Sequence, residues 1–109
     1  MVTKLNIILD QGAEFAQSYD MVDEDGNALD LSTFSGRSQM RKHYSSSNSV
    51  SFTVGLSNTG TVTLSLPSAQ TEVIVPGRYQ YDVEVVDNAN SVFRIIEGIV
   101  TVTPNITRG

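Results

Sequence analysis

The sequence predicts an all-β domain of the immunoglobulin-like sandwich type, with about seven antiparallel strands and one short helical turn. Val, Ile and Thr, which pack well on pleated sheets, account for 30 of the 109 residues. Several segments alternate strictly between apolar and polar residues, and segments rich in turn-forming residues separate them. An open barrel is the competing architecture. The length predicts a single domain over residues 1–109.

The N-terminal half carries two strand signals and then a series of shorter elements. Alternating apolar residues predict the two strands: Leu5, Ile7 and Leu9, then Phe15, Tyr19 and Met21. A tight turn is predicted at 23–27, followed by a short extended piece at 29–31. A strand over 36–44 is expected to turn Met40 towards the core. Residues 45–49, which are serines and an asparagine, predict a flexible loop tip.

A β-hairpin over 50–66 is the clearest element in the middle of the chain. Apolar residues alternate with small polar ones in both arms, 50–56 and 61–66. The connecting segment Ser57-Asn-Thr-Gly60 predicts a turn in which Gly60 adopts a positive φ.

The C-terminal third begins with helix formers and ends with two long strands. A helical turn is predicted near residues 68–74, capped by Ser68 and ended by Pro76-Gly77. The last strand is expected over about 92–103. Its apolar phase slips around Glu97-Gly98, which predicts a β-bulge there.

The penultimate strand, over 78–85, places Tyr79, Tyr81 and two valines on one face and charged or polar residues on the other. The preceding Pro76-Gly77 is similar to the corner that leads into such a strand in β-sandwiches. In that corner a tyrosine hydroxyl hydrogen-bonds to the upstream backbone. We therefore expect Tyr79 and Tyr81 to pack into the core.

Composition excludes several classes of function. The formal net charge is −5 and the pI is about 4.5, which argues against nucleic-acid binding. No apolar run is long enough to cross a membrane, and the apolar N-terminal stretch is too short for a signal peptide. The chain has no cysteine and one histidine, so we expect no disulfide, no bound metal and no cofactor.

The acidic segment around Asp23, Glu24 and Asp25 is superficially similar to a calcium-binding loop. It lacks the third alternating ligand before Gly26 and the glutamate six residues after it. The favoured interpretation is a soluble Asp-Gly turn, and whether Ca²⁺ binds there stays open.

A small basic group on the predicted strand 36–44 is the second charged feature. Arg37, Arg41 and Lys42 belong to it, and Arg37, Arg41 and His43 share one face. The group either pairs with the acidic turn of a neighbouring copy or is simply solvated. His43 lacks a nucleophile motif beside it, so we interpret it as a surface residue at a strand end.

The exposed acids and the tyrosines offer two further interpretations. Asp82 and Glu84 project from one exposed strand face, where a solvated surface is favoured over paired catalytic carboxylates. Tyr19 and Tyr44 are candidates for an aromatic platform that binds sugars, which would make the chain a carbohydrate-binding or host-receptor-binding module.

Four segments together resemble one protein family. They are Gln11-Gly12-Ala13, the stretch from Asp25-Gly26-Asn27 to Met40-Arg41, Gly77-Arg-Tyr79-Gln-Tyr81-Asp82-Val83-Glu84-Val85, and Arg94-Ile-Ile-Glu97-Gly98-Ile-Val100-Thr-Val102-Thr-Pro104. In this order they are similar to small β-sandwich virion proteins of tailed bacteriophages, especially T4-like phages of cyanobacteria. They also resemble the N-terminal module of phage upper baseplate proteins.

The resemblance implies a non-enzymatic virion component of the baseplate, neck, tail or capsid surface, made in the host cytoplasm. Its partners would be other virion proteins and copies of itself. The matched positions would be structural: Gly12, Gly26, Gly36, Gly77 and Gly98 for backbone geometry, Tyr79 and Tyr81 for packing. We expect residues 1–4 and 105–109 to be flexible ends that reach neighbouring subunits.

Overall fold

The computed structural model describes residues 2–43 and 49–105 and confirms the all-β class with one short helix. Its strands are β1 (Thr3–Lys4), β2 (Ile7–Asp10), β3 (Phe15–Asp20), β4 (Ser35–Arg41), β5 (Val50–Leu56), β6 (Thr61–Leu66), β7 (Gly77–Val86) and β8 (Val92–Thr103). The helix α1 (Ser68–Thr71) lies between β6 and β7. Within the described part of the chain, no helix is long and apolar enough to cross a membrane.

The strands form one curled mixed sheet in the order β1-β8-β7-β4-β5-β6-β3, and β2 also pairs with β8. Strand β5 joins the two halves, because Val50–Phe52 pair with β4 and Thr53–Leu56 pair with β6. Both β1 and β2 run parallel to β8, and the remaining pairs are antiparallel. Strands β1 and β2 lie along one edge of the sheet, and β3 forms the other edge. The immunoglobulin-like type stays a prediction.

The core lies between the two halves of the curled sheet and follows the alternation of the sequence. Val62 and Leu64 on β6 and Val83 on β7 are fully buried, while their neighbours in the chain are partly exposed. Fully burying one such side chain stabilises the fold by about 1.5–3 kcal/mol. The rings of Phe15 and Phe52 lie 5.8 Å apart, and those of Phe52 and Tyr81 lie 6.2 Å apart, so aromatic contacts cross the core from β3 to β7.

Several local predictions are confirmed. The hairpin of β5 and β6 closes through a turn in which Gly60 has a φ of 82°. A Cβ on Gly60 would collide with the carbonyl oxygen of Met21, so the position also requires the absence of a side chain. Met40 is fully buried. The hydroxyl of Tyr79 donates a 2.6 Å hydrogen bond to the carbonyl oxygen of Val75, as the tyrosine corner predicts.

The predicted first strand is in fact two strands separated by a kink at Leu5 and Asn6. The amide of Leu5 donates to the carbonyl of Glu97, but the side chain of Asn6 accepts the next hydrogen bond, from the Ile99 amide. The kink presses the Leu5 carbonyl against Gly98, where a Cβ would collide with it. The hydroxyl of Tyr81 donates to the same carbonyl. The absence of a side chain at position 98 therefore makes room for the kink.

Two further expectations were wrong. The β-bulge lies at Ile95, where the β7–β8 register skips one residue, and not at Glu97-Gly98. The apolar alternation of β8 is interrupted at Gly98 because the kink at Leu5 and Asn6 packs against this residue. The N-cap of α1 is Pro67, and no side chain caps the helix, so Ser68 is its first residue. The piece at 29–31 lies outside the strands, and Leu31 within it is buried.

The chain ends differ from expectation where they are described. Thr3 and Lys4 pair with β8, and the Asn105 amide donates to the side chain of Gln11. The N-terminal end is therefore part of the sheet from residue 3 onwards. The predicted loop tip at 45–49, except for residue 49, lies outside the described residues.

Candidate functional site

The two halves of the sheet present two outer faces of opposite character. The face of β4, β7 and β8, called the charged face below, consists of Arg37, Gln39, Arg41, Arg78, Gln80, Asp82, Glu84, Arg94, Glu97 and Ile99. The face of β3, β6 and the second half of β5, called the hydroxyl face, consists of Ala16, Ser18, Asp20, Thr53, Gly55, Thr61, Thr63 and Ser65. Both faces belong to the same continuous sheet, so their difference in charge comes from the side chains.

Two ion pairs cross the charged face. Arg37 Nε lies 2.8 Å from Glu84 Oε1, and Arg94 Nε lies 3.3 Å from Asp82 Oδ2. Between β1 and β4 these strands surround an open polar hollow of about 780 Å³, which Lys4, Arg94 and Glu97 help to line. Burial raises the pKa of Asp82, and the Glu84 carboxylate raises it further, while Arg94 lowers it.

Members of the predicted basic group have partners within their own chain, and pairing with the acidic turn of a neighbouring copy stays a prediction. Arg37 pairs with Glu84, and Arg41 Nη2 donates to Gln39 Oε1 at 2.8 Å. Lys42 Nζ lies 4.8 Å from the centre of the Tyr79 ring, within range of a cation–π contact. His43 is exposed just after β4, as predicted for a surface histidine.

The acidic turn is a backbone-capping motif. Asp23 Oδ1 accepts hydrogen bonds of 2.9 Å from the amides of both Asp25 and Asn27, and Gly26 completes the turn. Asp23, Glu24 and Asp25 are all exposed. Across residues 2–43 and 49–105, no three His, Cys, Asp or Glu side chains are grouped to hold a metal ion.

Tyr81 lies in the hydrophobic core, and Tyr19 packs against that core. Tyr81 is buried, and burial raises its pKa, with a further increase from the nearby Tyr19. Tyr19 is half-buried and its hydroxyl is fully buried, and this burial raises its pKa. Tyr19 therefore does not form half of an exposed sugar platform. Tyr44, the other half of that hypothesis, lies outside the described residues.

The hydroxyl face consists of short side chains and is nearly free of charge. Asp20 is its one ionisable residue, and Thr61 Oγ1 donates a 3.0 Å hydrogen bond to it. The hydroxyls of Ser18 and Thr63 lie 3.0 Å apart. These contacts satisfy much of the polar character of the face internally, and they leave a smooth surface of methyl and hydroxyl groups.

A group of side-chain hydrogen bonds at one end of the sheet, called the polar lock below, was not predicted from the sequence. Gln11 Nε2 donates to the carbonyl of Ile74 at 3.0 Å, and Gln11 Oε1 accepts from the Asn105 amide at 3.0 Å. The fully buried Thr71 donates through Oγ1 to the Ala13 carbonyl at 2.8 Å. This lock ties the β2–β3 corner to α1 and to the segment after β8. Gln11 stands in a segment of the family resemblance, which was its one sequence signal.

The matched structural positions lie where backbone segments meet. Gly77 opens β7 opposite Val102, and Gly98 lies on β8 opposite Tyr81. Tyr79 packs against the core as a half-buried residue. These positions shape the strand ends and the kink, and none of them lies on either outer face.

Comparisons with known proteins add a fold-level similarity. No protein-family model matches the chain, and no curated protein matches it in sequence. One similar solved structure is the internalin-like protein lmo2027 of Listeria monocytogenes, with a TM-score of 0.48, 14% identity and coverage of 94% of this chain and 28% of that one. Another is a family 123 glycoside hydrolase from Clostridium perfringens, with a TM-score of 0.43, 13% identity and coverage of 96% and 24%. This chain spans about a quarter of the length of each.

Proposed function

We propose that the chain is a non-enzymatic structural module of a tailed-phage virion, located in the baseplate, neck, tail or capsid surface. It acts by packing against other virion proteins. The observation that carries the proposal is the hydroxyl face, where seven of the eight outward residues are uncharged and small. The resemblance of the four sequence segments supplies the phage context.

A face of this composition is suited to being covered by another protein. The buried centres of protein interfaces are depleted in charged residues. Covering a Ser or Thr whose hydroxyl is already hydrogen-bonded removes less solvation energy than covering an unpaired charge. Ser18, Thr63 and Thr61 have such hydroxyl contacts within the face. Short side chains also lose little rotamer freedom on binding.

The charged face is the surface that should stay in water. Its ion pairs, Arg37–Glu84 and Arg94–Asp82, involve partly exposed side chains. Covering them with an unmatched partner would desolvate both charges of each pair. A module with one such face has a defined orientation, with the charged side outward and the hydroxyl side against a neighbour.

Cryo-electron microscopy of virions of the phage that encodes the chain tests the proposal. We expect density for the domain with β3, β6 and β5 against a neighbouring subunit, and its peptides in mass spectra of purified particles. A particle that lacks the protein would overturn the proposal. Density in which the charged face contacts the particle would overturn the assigned orientation. Binding on a glycan array by the isolated chain would instead favour the receptor-binding alternative.

A further inference from the structure

The outer edge of β3 is a regular strand edge of six residues. Phe15–Asp20 pair with β6 in unbroken register over all six residues. Within residues 2–43 and 49–105, no backbone hydrogen bond reaches the other side of this strand. Half of its backbone N–H and C=O groups therefore point away from the sheet and are available to another strand.

Soluble proteins usually protect such edges with Lys, Pro, a bulge or a very short strand. β3 has none of these devices, and its one charge, Asp20, stands at its last position. The opposite edge of the sheet is protected. There the kink at Leu5 and Asn6 divides the edge into β1, with two residues, and β2, with four.

We propose that β3 pairs antiparallel with β3 of a second copy of this chain, about a two-fold axis at Ser18. The inference rests on the proposed function and names the partner that covers the edge beside the hydroxyl face. The pairing is isologous, so each copy supplies the same strand and no further edge of β3 is left open.

Charge selects this register. A two-fold axis perpendicular to the sheet places residues of the same face opposite one another, so the axis passes through a residue position. An axis at Gln17 would put Asp20 opposite Glu14 of the second copy, and directly opposed like charges are destabilising. An axis at Ser18 puts Asp20 opposite Ala16 and Ser18 opposite its own equivalent. Like charges then do not face each other.

The paired copies would carry one continuous hydroxyl face. Strands β5, β6 and β3 of both chains form six adjacent strands, about 29 Å across at about 4.8 Å per strand. A six-residue edge buries less area than a standard interface, so we expect a dissociation constant of about 10–100 µM in solution. Many copies held in one particle would strengthen the pairing through effective concentration.

Sedimentation velocity of the purified full chain over a concentration series tests the pairing. We expect a monomer–dimer equilibrium in the wild type. Ser18→Lys and Ser18→Glu should each weaken self-association about twofold to fivefold, because the two substituted residues face each other across the axis. An equimolar mixture of the two variants should recover dimers. Thr53→Lys, on the same face but two strands from the edge, should dimerise like the wild type.

Ala16→Lys should strengthen self-association. It would face Asp20 of the second copy twice in each dimer, so we expect about threefold to tenfold tighter association. Far-UV circular dichroism of every variant verifies the fold. A wild type that stays monomeric throughout, or Ser18 variants that dimerise normally, would overturn the pairing. Either result would leave the virion proposal standing if the chain is found in particles, whereas absence from particles would refute only that proposal.

Discussion

The two outer faces of the sheet differ in how their side chains are satisfied. On the charged face, long side chains reach across strands to each other, as Arg37 does to Glu84 and Arg94 to Asp82. On the hydroxyl face, short side chains contact only their direct neighbours, as Ser18 does Thr63. The charged face keeps polar groups that need water, while three of the five hydroxyls of the hydroxyl face already have partners within that face.

The two halves of the sheet also differ in how they end. The half that carries the charged face ends at the kinked N-terminal segment, where Leu5 and Asn6 are hydrogen-bonded to β8 and Tyr81. The other half ends at β3, a regular strand whose outer side makes no backbone hydrogen bond to residues 2–43 or 49–105. The difference suggests a division of roles, in which one half stabilises the monomer and the other is arranged for contact.

The largest effect should come from adding one methyl group to each half. Gly98→Ala would drive a Cβ into the Leu5 carbonyl, so we expect a loss of about 2–4 kcal/mol in the free energy of unfolding. Gly55→Ala is the matched change on the hydroxyl face, where the nearest atom to the new Cβ is the Thr63 Cβ at 3.7 Å. It should change stability by at most about 1 kcal/mol, in the stabilising direction. Urea unfolding measures the free energy of unfolding of both variants. Equal effects would contradict the role of the Leu5–Gly98 contact in stabilising the charged half.

The next largest effect should be on assembly. Thr63→Lys adds one charge at the centre of the hydroxyl face, and Gln80→Lys adds the same charge to the charged face. Because an unpaired buried charge is strongly unfavourable, we expect Thr63→Lys to reduce incorporation into virions at least about tenfold. Gln80→Lys should incorporate normally. Quantitative mass spectrometry of particles made with each variant measures the ratio, and equal incorporation would mean that the hydroxyl face stays uncovered.

Local alternation made most of the fold predictable. The hairpin of β5 and β6, the inward face of β7 and the bounds of β8 follow from a period of two and a few turn residues. The tyrosine corner followed from Pro76-Gly77 and Tyr79. In each case the residues that decide the structure are close together in the chain.

The main error arose where distant segments decide the structure. The split between β1 and β2 depends on Gly98, Tyr81 and Asn6, which meet only in the folded chain. The break in alternation at Gly98 is visible in the sequence, but it predicted a β-bulge within β8 instead of a kink in the N-terminal segment. The candidate site shows the same limit, because the basic strand was visible in the sequence while the partners of Arg37 and Arg94 were not. The hydroxyl face emerges only when the registers of three strands are combined.

A smaller effect should separate the two faces by salt. A double-mutant cycle of Arg37→Ala and Glu84→Ala should give a coupling of about 0.2–1 kcal/mol at low ionic strength, because both side chains are partly exposed. Added salt should reduce this coupling. The cycle of Ser18→Ala and Thr63→Ala joins neutral hydroxyls and should give a coupling that salt leaves unchanged. Urea unfolding at about 10 mM and 1 M NaCl measures both cycles, and a salt-independent Arg37–Glu84 coupling would mean that the ion pair does not contribute.

The smallest effect should come from pH, acting on the charged face through Asp82. Its pKa is raised above the ordinary 3.8, chiefly by burial, so the folded chain binds a proton more tightly than the unfolded chain. The contribution of Asp82 to stability is therefore greatest at low pH and falls as pH rises through the folded pKa. Asp82→Asn removes this titration, so its stability relative to wild type should increase as the pH rises from below the ordinary 3.8 through the raised pKa of Asp82. In an Arg94→Gln background the increase should be larger, because Arg94 lowers the pKa of Asp82. A stability difference that stays constant across this range would show that Asp82 titrates alike in both states, and the charged face would then be as indifferent to pH as an ordinary solvated surface.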